Sequence, residues 1–165
     1  MSKLGFGLEY HFTLLDRFGR RMDEWDATNL VPDAGLEFLL KAPFGDTASI
    51  STFYLGLYAN AFEPSPATVA ADIPNSMGEI TAYSEPTRPE WEKAYTNGSY
   101  SSIDAPAEFT LTSNALVRGL FLCSASAKGV GTGLLLSALR LPTARQVYAG
   151  SKLQVHGSLT YIPVF

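Results

Sequence analysis

The sequence predicts an all-β protein: an antiparallel β-sandwich, jelly-roll-like or immunoglobulin-like, with one short helix. Three observations predict it. Apolar and polar residues alternate in segment after segment, the two-residue period of a half-buried strand. Turn residues punctuate these segments at the spacing of a sandwich or barrel. Only residues 29–41 carry helical spacing. A chain of 165 residues suits one domain with a sizeable core. No linker divides it, so residues 1–165 are read as a single sandwich domain.

The elements follow in order. In residues 5–15, Phe6, Leu8, Tyr10, Phe12 and Leu14 alternate with Gly7, Glu9, His11 and Thr13. Asp16 to Gly19 make a turn, and residues 20–27 return as the second strand of a hairpin. The helix is expected at about residues 33–41. Leu36, Leu39 and Leu40 form its apolar stripe, Pro32 suits its first turn, and Asn29 or Asp33 is placed to cap it. Pro43 and Gly45 stop it. A lone helix in a β-rich chain is expected to bury its leucines on a sheet or plug the end of the sandwich. Residues 47–59 read as a central strand, because Phe53, Leu55 and Leu57 line one face while Tyr54 and Tyr58 line the other.

Residues 60–76 form a long irregular loop, since Pro64, Pro66 and Pro74 deny it a regular strand. A loop this long is read as an excursion toward a neighbouring subunit. Residues 79–84 are a short strand. Asn97-Gly98 marks a type I′ hairpin between residues 91–96 and 100–103. Residues 108–112, 116–124 and 133–141 read as strands, and residues 152–161 close the chain with its clearest alternation, Leu153, Val155, Leu159 and Tyr161 inward. The count is about nine or ten strands at sandwich spacing. No fixed-period repeat is present, which excludes solenoids and propellers.

Composition narrows function. Charged residues make up 17% of the chain and its net charge is −4, and no basic run exceeds Arg20-Arg21. Nucleic-acid binding through phosphate neutralisation is therefore not expected. No apolar stretch approaches the roughly 20 residues of a membrane span, and residues 1–4 offer no signal-peptide core. Cys123, the single cysteine, lies in an apolar run and is expected to be buried.

Chemistry-bearing motifs are sparse. His11 and His156 are far apart in the chain, in no metal-ligand spacing. Asp23, Glu24 and Asp26 lack the register of a calcium loop. Gly129 to Gly133 have neither the lysine nor the helix of a phosphate-binding loop. No nucleophile elbow is present, and Glu90 and Glu92 flank a tryptophan expected in the core. No catalytic residue, cofactor or metal is assigned, and no enzyme activity is expected.

The order of the pieces carries a resemblance. The N-terminal hairpin leads to Asn29-Leu30-Val31, then Gly35-Leu36 and Leu39-Leu40. Tyr54-Leu55-Gly56-Leu57 follows, and near the end come Lys128-Gly129 and Leu134-Leu135-Leu136. This layout resembles a family of small virion structural proteins of tailed bacteriophages. The resemblance implies a copy-rich virion component: a capsid decoration (cement) protein on the major capsid protein, or a neck, collar or tail-attached part. It implies assembly in the host cytoplasm and a homo-oligomer. Partner contacts are expected from residues 62–74 and the N-terminal arm, residues 1–7, with Phe6, Tyr54, Tyr58, Phe62, Pro64, Pro66, Val69 and Ile73 as candidates. The alternative is a carbohydrate-binding surface module, with Tyr54, Tyr58, Trp91, Tyr95 and Tyr100 as a stacking platform.

Overall fold

The computed structural model describes residues 5–102 and 104–162. Among these residues ten strands form two antiparallel sheets in a sandwich-like arrangement. The first sheet pairs β2 (Arg21–Thr28) with β1 (Gly5–Leu15) and β1 with β10 (Lys152–Ile162). Along its other edge β10 pairs with two short strands, β6 (Ser99–Ser101) and β7 (Ala107–Thr110), and β5 (Ala94–Thr96) extends the sheet beyond β6. The second sheet runs β4 (Glu79–Ile80), β3 (Tyr54–Tyr58), β8 (Ala115–Cys123) and β9 (Leu135–Val147).

The alternation read from the sequence defines the shared core. Leu8, Tyr10 and Phe12 of β1 and Leu153 and Val155 of β10 are buried against Leu55, Leu57, Leu120 and Leu122 of the second sheet. The Asn97-Gly98 turn joins β5 to β6 with positive φ at both residues, 49° and 86°, as a type I′ hairpin requires. A polar staple also crosses between the sheets. Asn29 accepts the Leu8 N–H and donates through Nδ2 to the Ser137 hydroxyl, which also receives the Tyr10 hydroxyl. Asn29, one of the two residues expected to cap the helix, thus joins β1 to β9.

The helix α1 spans Asp33–Lys41 and continues into a 3-10 turn, Ala42–Phe44. Its buried stripe differs from the one the leucine spacing predicts. Gly35 lies so close to β9 that a Cβ there would sit 2.7 Å from the Leu136 carbonyl oxygen. Phe38 and Leu39 pack on the core, Phe38 edge-on to Phe53. Leu36 and Leu40 instead remain 37% and 63% exposed, and Phe44 is 82% exposed. A glycine that buries backbone rather than side chain rotates the contact face, and hydrophobic spacing does not register it.

The second correction concerns the loop between β3 and β4. It is not a free arm. Its ends are held by Ala59 N–H to Gly78 and Asn60 N–H to Met77. Between them a 3-10 turn (Ala70–Asp72) and a π turn (Ile73–Met77) lay Ala70, Ile73 and Met77 on the outer face of the second sheet. There they meet Tyr58, Phe121, Cys123, Leu135 and Ala138 as a second core. The sheet accommodates its rings by pairing each with a cross-strand glycine: Phe121 with Gly56, and Tyr58 with Gly119. A Cβ at Gly56 would fall 2.0 Å from the Phe121 ring, and one at Gly119 would fall 2.1 Å from the Tyr58 ring.

The outer core is sealed by one buried ion pair. Arg88 is fully buried and directs all five guanidinium N–H groups to acceptors. Nε and Nη2 bind the two Glu79 oxygens at 2.8 and 2.7 Å; Nη1 reaches Cys123 Sγ and the Ala125 carbonyl, and Nη2 also reaches the Val130 carbonyl. Burial is the largest influence and opposes this charge, but the hydrogen bonds to Glu79 together with the nearby Cys123, Glu79 and Tyr83 outweigh it and leave Arg88 above its usual pKa. Two other polar atoms, Trp25 Nε1 and Tyr83 Oη, are buried without a hydrogen-bond partner among the described residues. Arg88→Met strands the Glu79 carboxylate and is expected to cost about 3–5 kcal/mol. The double variant with Glu79→Leu recovers part of that loss. Urea denaturation midpoints of the two variants check the ordering.

Candidate functional site

The most chemically loaded surface lies on the first sheet, on the face opposite Tyr10 and Phe12. In-register pairing of β1 with β10 places His11 directly opposite His156. Their ring centroids are 6.2 Å apart. The sequence treats these histidines as unrelated residues, and the structure makes them neighbours. The signal was present in the two best-alternating strands, but strand partners are long-range, and a one-residue slip would move a histidine to the other face.

Each ring is anchored on its outer flank. His11 Nδ1 lies 2.7 Å from Asp26 Oδ1 on β2. His156 Nδ1 lies 3.0 Å from the Ser102 carbonyl, just past β6. His11 Nε2 is 3.9 Å from Glu24 Oε2, which itself accepts a hydrogen bond from Arg21. His11, Asp26 and His156 line a groove of about 810 Å³ together with Glu9, Arg140 and Ser158. Arg140 is already paired with Glu63 at 2.9 Å, so the groove offers imidazoles, carboxylates and hydroxyls rather than an unpaired cation. Among the described residues no three His, Cys, Asp or Glu side chains are grouped as a metal cage.

The residues expected to contact partners divide. Tyr58 and Ile73 are wholly buried within the chain, and both are core residues of the outer face: Tyr58 donates its hydroxyl to the Leu139 carbonyl at 2.8 Å, and Ile73 sits beneath the loop that carries it. Neither has surface to offer, which corrects that expectation. Phe62 is half-buried, edge-on to Tyr58. Tyr54 and Pro64 are half-buried, Pro66 is exposed, and Val69 is 44% exposed. The Phe6 side chain and residues 1–4 lie outside the described residues.

The five-ring platform does not form. Trp91 is buried and donates Nε1–H to the Gly157 carbonyl at 3.1 Å. Only Tyr95 and Tyr100 stand clear of the core, as a cross-strand pair with ring centroids 5.2 Å apart. Cys123 is buried as its apolar run predicts.

A scan against protein-family models, a search of curated proteins and a search of solved structures each return no match. The resemblance to phage virion proteins therefore stands on its sequence motifs alone.

Burial pushes the Cys123 thiol above its ordinary pKa, and reactivity follows the thiolate. A thiol-disulfide reagent at pH 8 is expected to leave the native chain unlabelled for hours and to label it at once in denaturant. Rapid labelling of the native chain would mean that the loop over the second sheet opens readily.

Proposed function

We propose that this chain is a non-enzymatic structural component of a bacteriophage virion, a capsid decoration protein that binds the major capsid protein and stabilises the shell. The observation that supports it most is the uncovered apolar stripe Leu36, Leu40 and Phe44, spaced by four along α1 and the turn after it. Large apolar side chains left in water at successive turns of one helix and the turn after it form a contiguous patch of the kind that protein contact uses. The stripe is continuous with part of the loop. The Asp33 N–H donates to the Pro66 carbonyl at 2.9 Å, which brings exposed Pro66 and Val69 to the start of the same helix. The motif order that resembles small virion proteins supplies the partner class.

Quantitative mass spectrometry of purified virions tests this reading. Hundreds of copies, in fixed ratio to the major capsid protein, are expected. A count between about five and a few dozen moves the protein to a neck, collar or tail ring, and absence from particles overturns the virion reading. The double variant Leu40→Asp and Phe44→Asp is expected to weaken shell binding at least tenfold while keeping the native circular dichroism spectrum, because both side chains are exposed.

The exposed Tyr95–Tyr100 pair favours a second reading, a carbohydrate-binding surface module. Rings open to solvent on a hairpin suit stacking against sugar faces. A glycan array is expected to give hits that Tyr100→Ala abolishes if this reading holds, and an array without hits removes it.

A further inference from the structure

We propose that His11 and His156 form a two-pronged clamp for a divalent transition-metal ion such as Zn²⁺. The argument begins with tautomers. Asp26 and the Ser102 carbonyl are acceptors, so the Nδ1 that faces each of them carries the proton. In the neutral ring Nε2 then holds a free lone pair, the form that ligates metal. Histidine ligands that donate their other N–H to a carboxylate or a backbone carbonyl are the usual pattern at metal sites, because the anchor holds both tautomer and ring orientation. Here two neighbouring histidines each carry such an anchor, one of either kind.

Direction follows from sheet order. His11 is tethered outward, toward β2. His156 is tethered outward the other way, toward the β6 side. With Nδ1 of each ring engaged on its outer flank, Nε2 is the nitrogen that each ring keeps for a ligand, and His11 Nε2 lies on the side that also meets Glu24. Distance agrees. A metal held at about 2.0–2.1 Å from each nitrogen puts the ring centroids roughly 5–6 Å apart, and the observed separation is 6.2 Å. The Glu24 carboxylate, 3.9 Å from His11 Nε2, adds negative potential beside the ion. Two side chains make an open site, so water completes the coordination sphere, and the adjoining groove leaves room for it.

Isothermal titration of ZnCl₂ into the metal-free, tag-free full chain tests the clamp. One saturable site is expected. His11→Gln and His156→Gln should each weaken it at least tenfold, and Asp26→Asn should weaken it by about 10–100-fold through loss of the anchor. Long-range ¹H–¹⁵N spectra of the same samples are expected to show both rings as the Nδ1–H tautomer before zinc, with both Nε2 resonances moving on its addition. Absence of saturable binding, equal binding by the double His→Gln variant, or an Nε2–H tautomer at either ring would overturn the proposal. Native thermal melts of each variant separate loss of the site from loss of the fold.

Discussion

The Arg88–Glu79 pair is the constraint on which the rest of the second sheet depends. Glu79 opens β4, and Arg88 comes from the proline-bordered segment beyond it. Through its carbonyl acceptors Arg88 also holds the chain between β8 and β9 at Ala125 and Val130, while the Gly129 N–H donates to Glu79 Oε2 at 2.8 Å. That chain in turn abuts the loop over the sheet: a Cβ on Gly131 would come within 3.0 Å of Ala71 Cα. Three irregular segments therefore converge on one charge pair. A buried pair of this kind is weak evidence for stability, because desolvation cancels much of the Coulomb attraction. Its value is selection of one arrangement. Loops free to close over an apolar sheet in many ways have a single way that satisfies all five guanidinium donors.

That selection matters because the second sheet is apolar on both faces. An uncovered outer face carrying Phe121, Cys123 and Leu135 would be an aggregation surface. The chain covers it with its own loop rather than with a third sheet or a partner. The glycine opposite each ring makes this cover compact, since Phe121 and Tyr58 lie over Gly56 and Gly119 instead of standing against facing side chains. The cost is intolerance: at either glycine even a methyl group would overlap a ring or a backbone carbonyl.

Much of the fold was legible in the sequence. The alternation in β1 and β10, the apolar faces of β3 and the Asn97-Gly98 hairpin rest on local rules, and the structure obeys them. What escaped reading was tertiary. The loop's prolines correctly denied it a strand, but nothing local says that Ile73 and Met77 fold back over the sheet. Asn29 looks like a helix cap until Ser137 is beside it. Gly35 has no side chain for a periodicity count to weigh, yet it defines the buried side of α1. The histidine pair was the least legible feature, because it joins the first strand to the last and exists only in one register. No signal in Arg88 itself distinguishes it from a surface arginine.

These features place the two kinds of surface on different elements. The exposed apolar stripe belongs to α1 and its adjoining loop, packed against β9 and the second sheet. The histidine pair belongs to the polar face of β1 and β10 in the first sheet. The proposed protein contact and the proposed ion binding thus fall on different elements, the stripe on α1 and the turn after it and the imidazoles on β1 and β10. The polar staple of Leu8, Asn29, Ser137 and Tyr10 ties β1 to β9, the strand on which α1 rests. The sheets also meet through the Arg145–Asp23 ion pair and the shared core, and Arg140 and Pro142 of β9 line the groove beside His11. The proposed ion site and the exposed stripe are thus joined through the sandwich as a whole and not through any single contact.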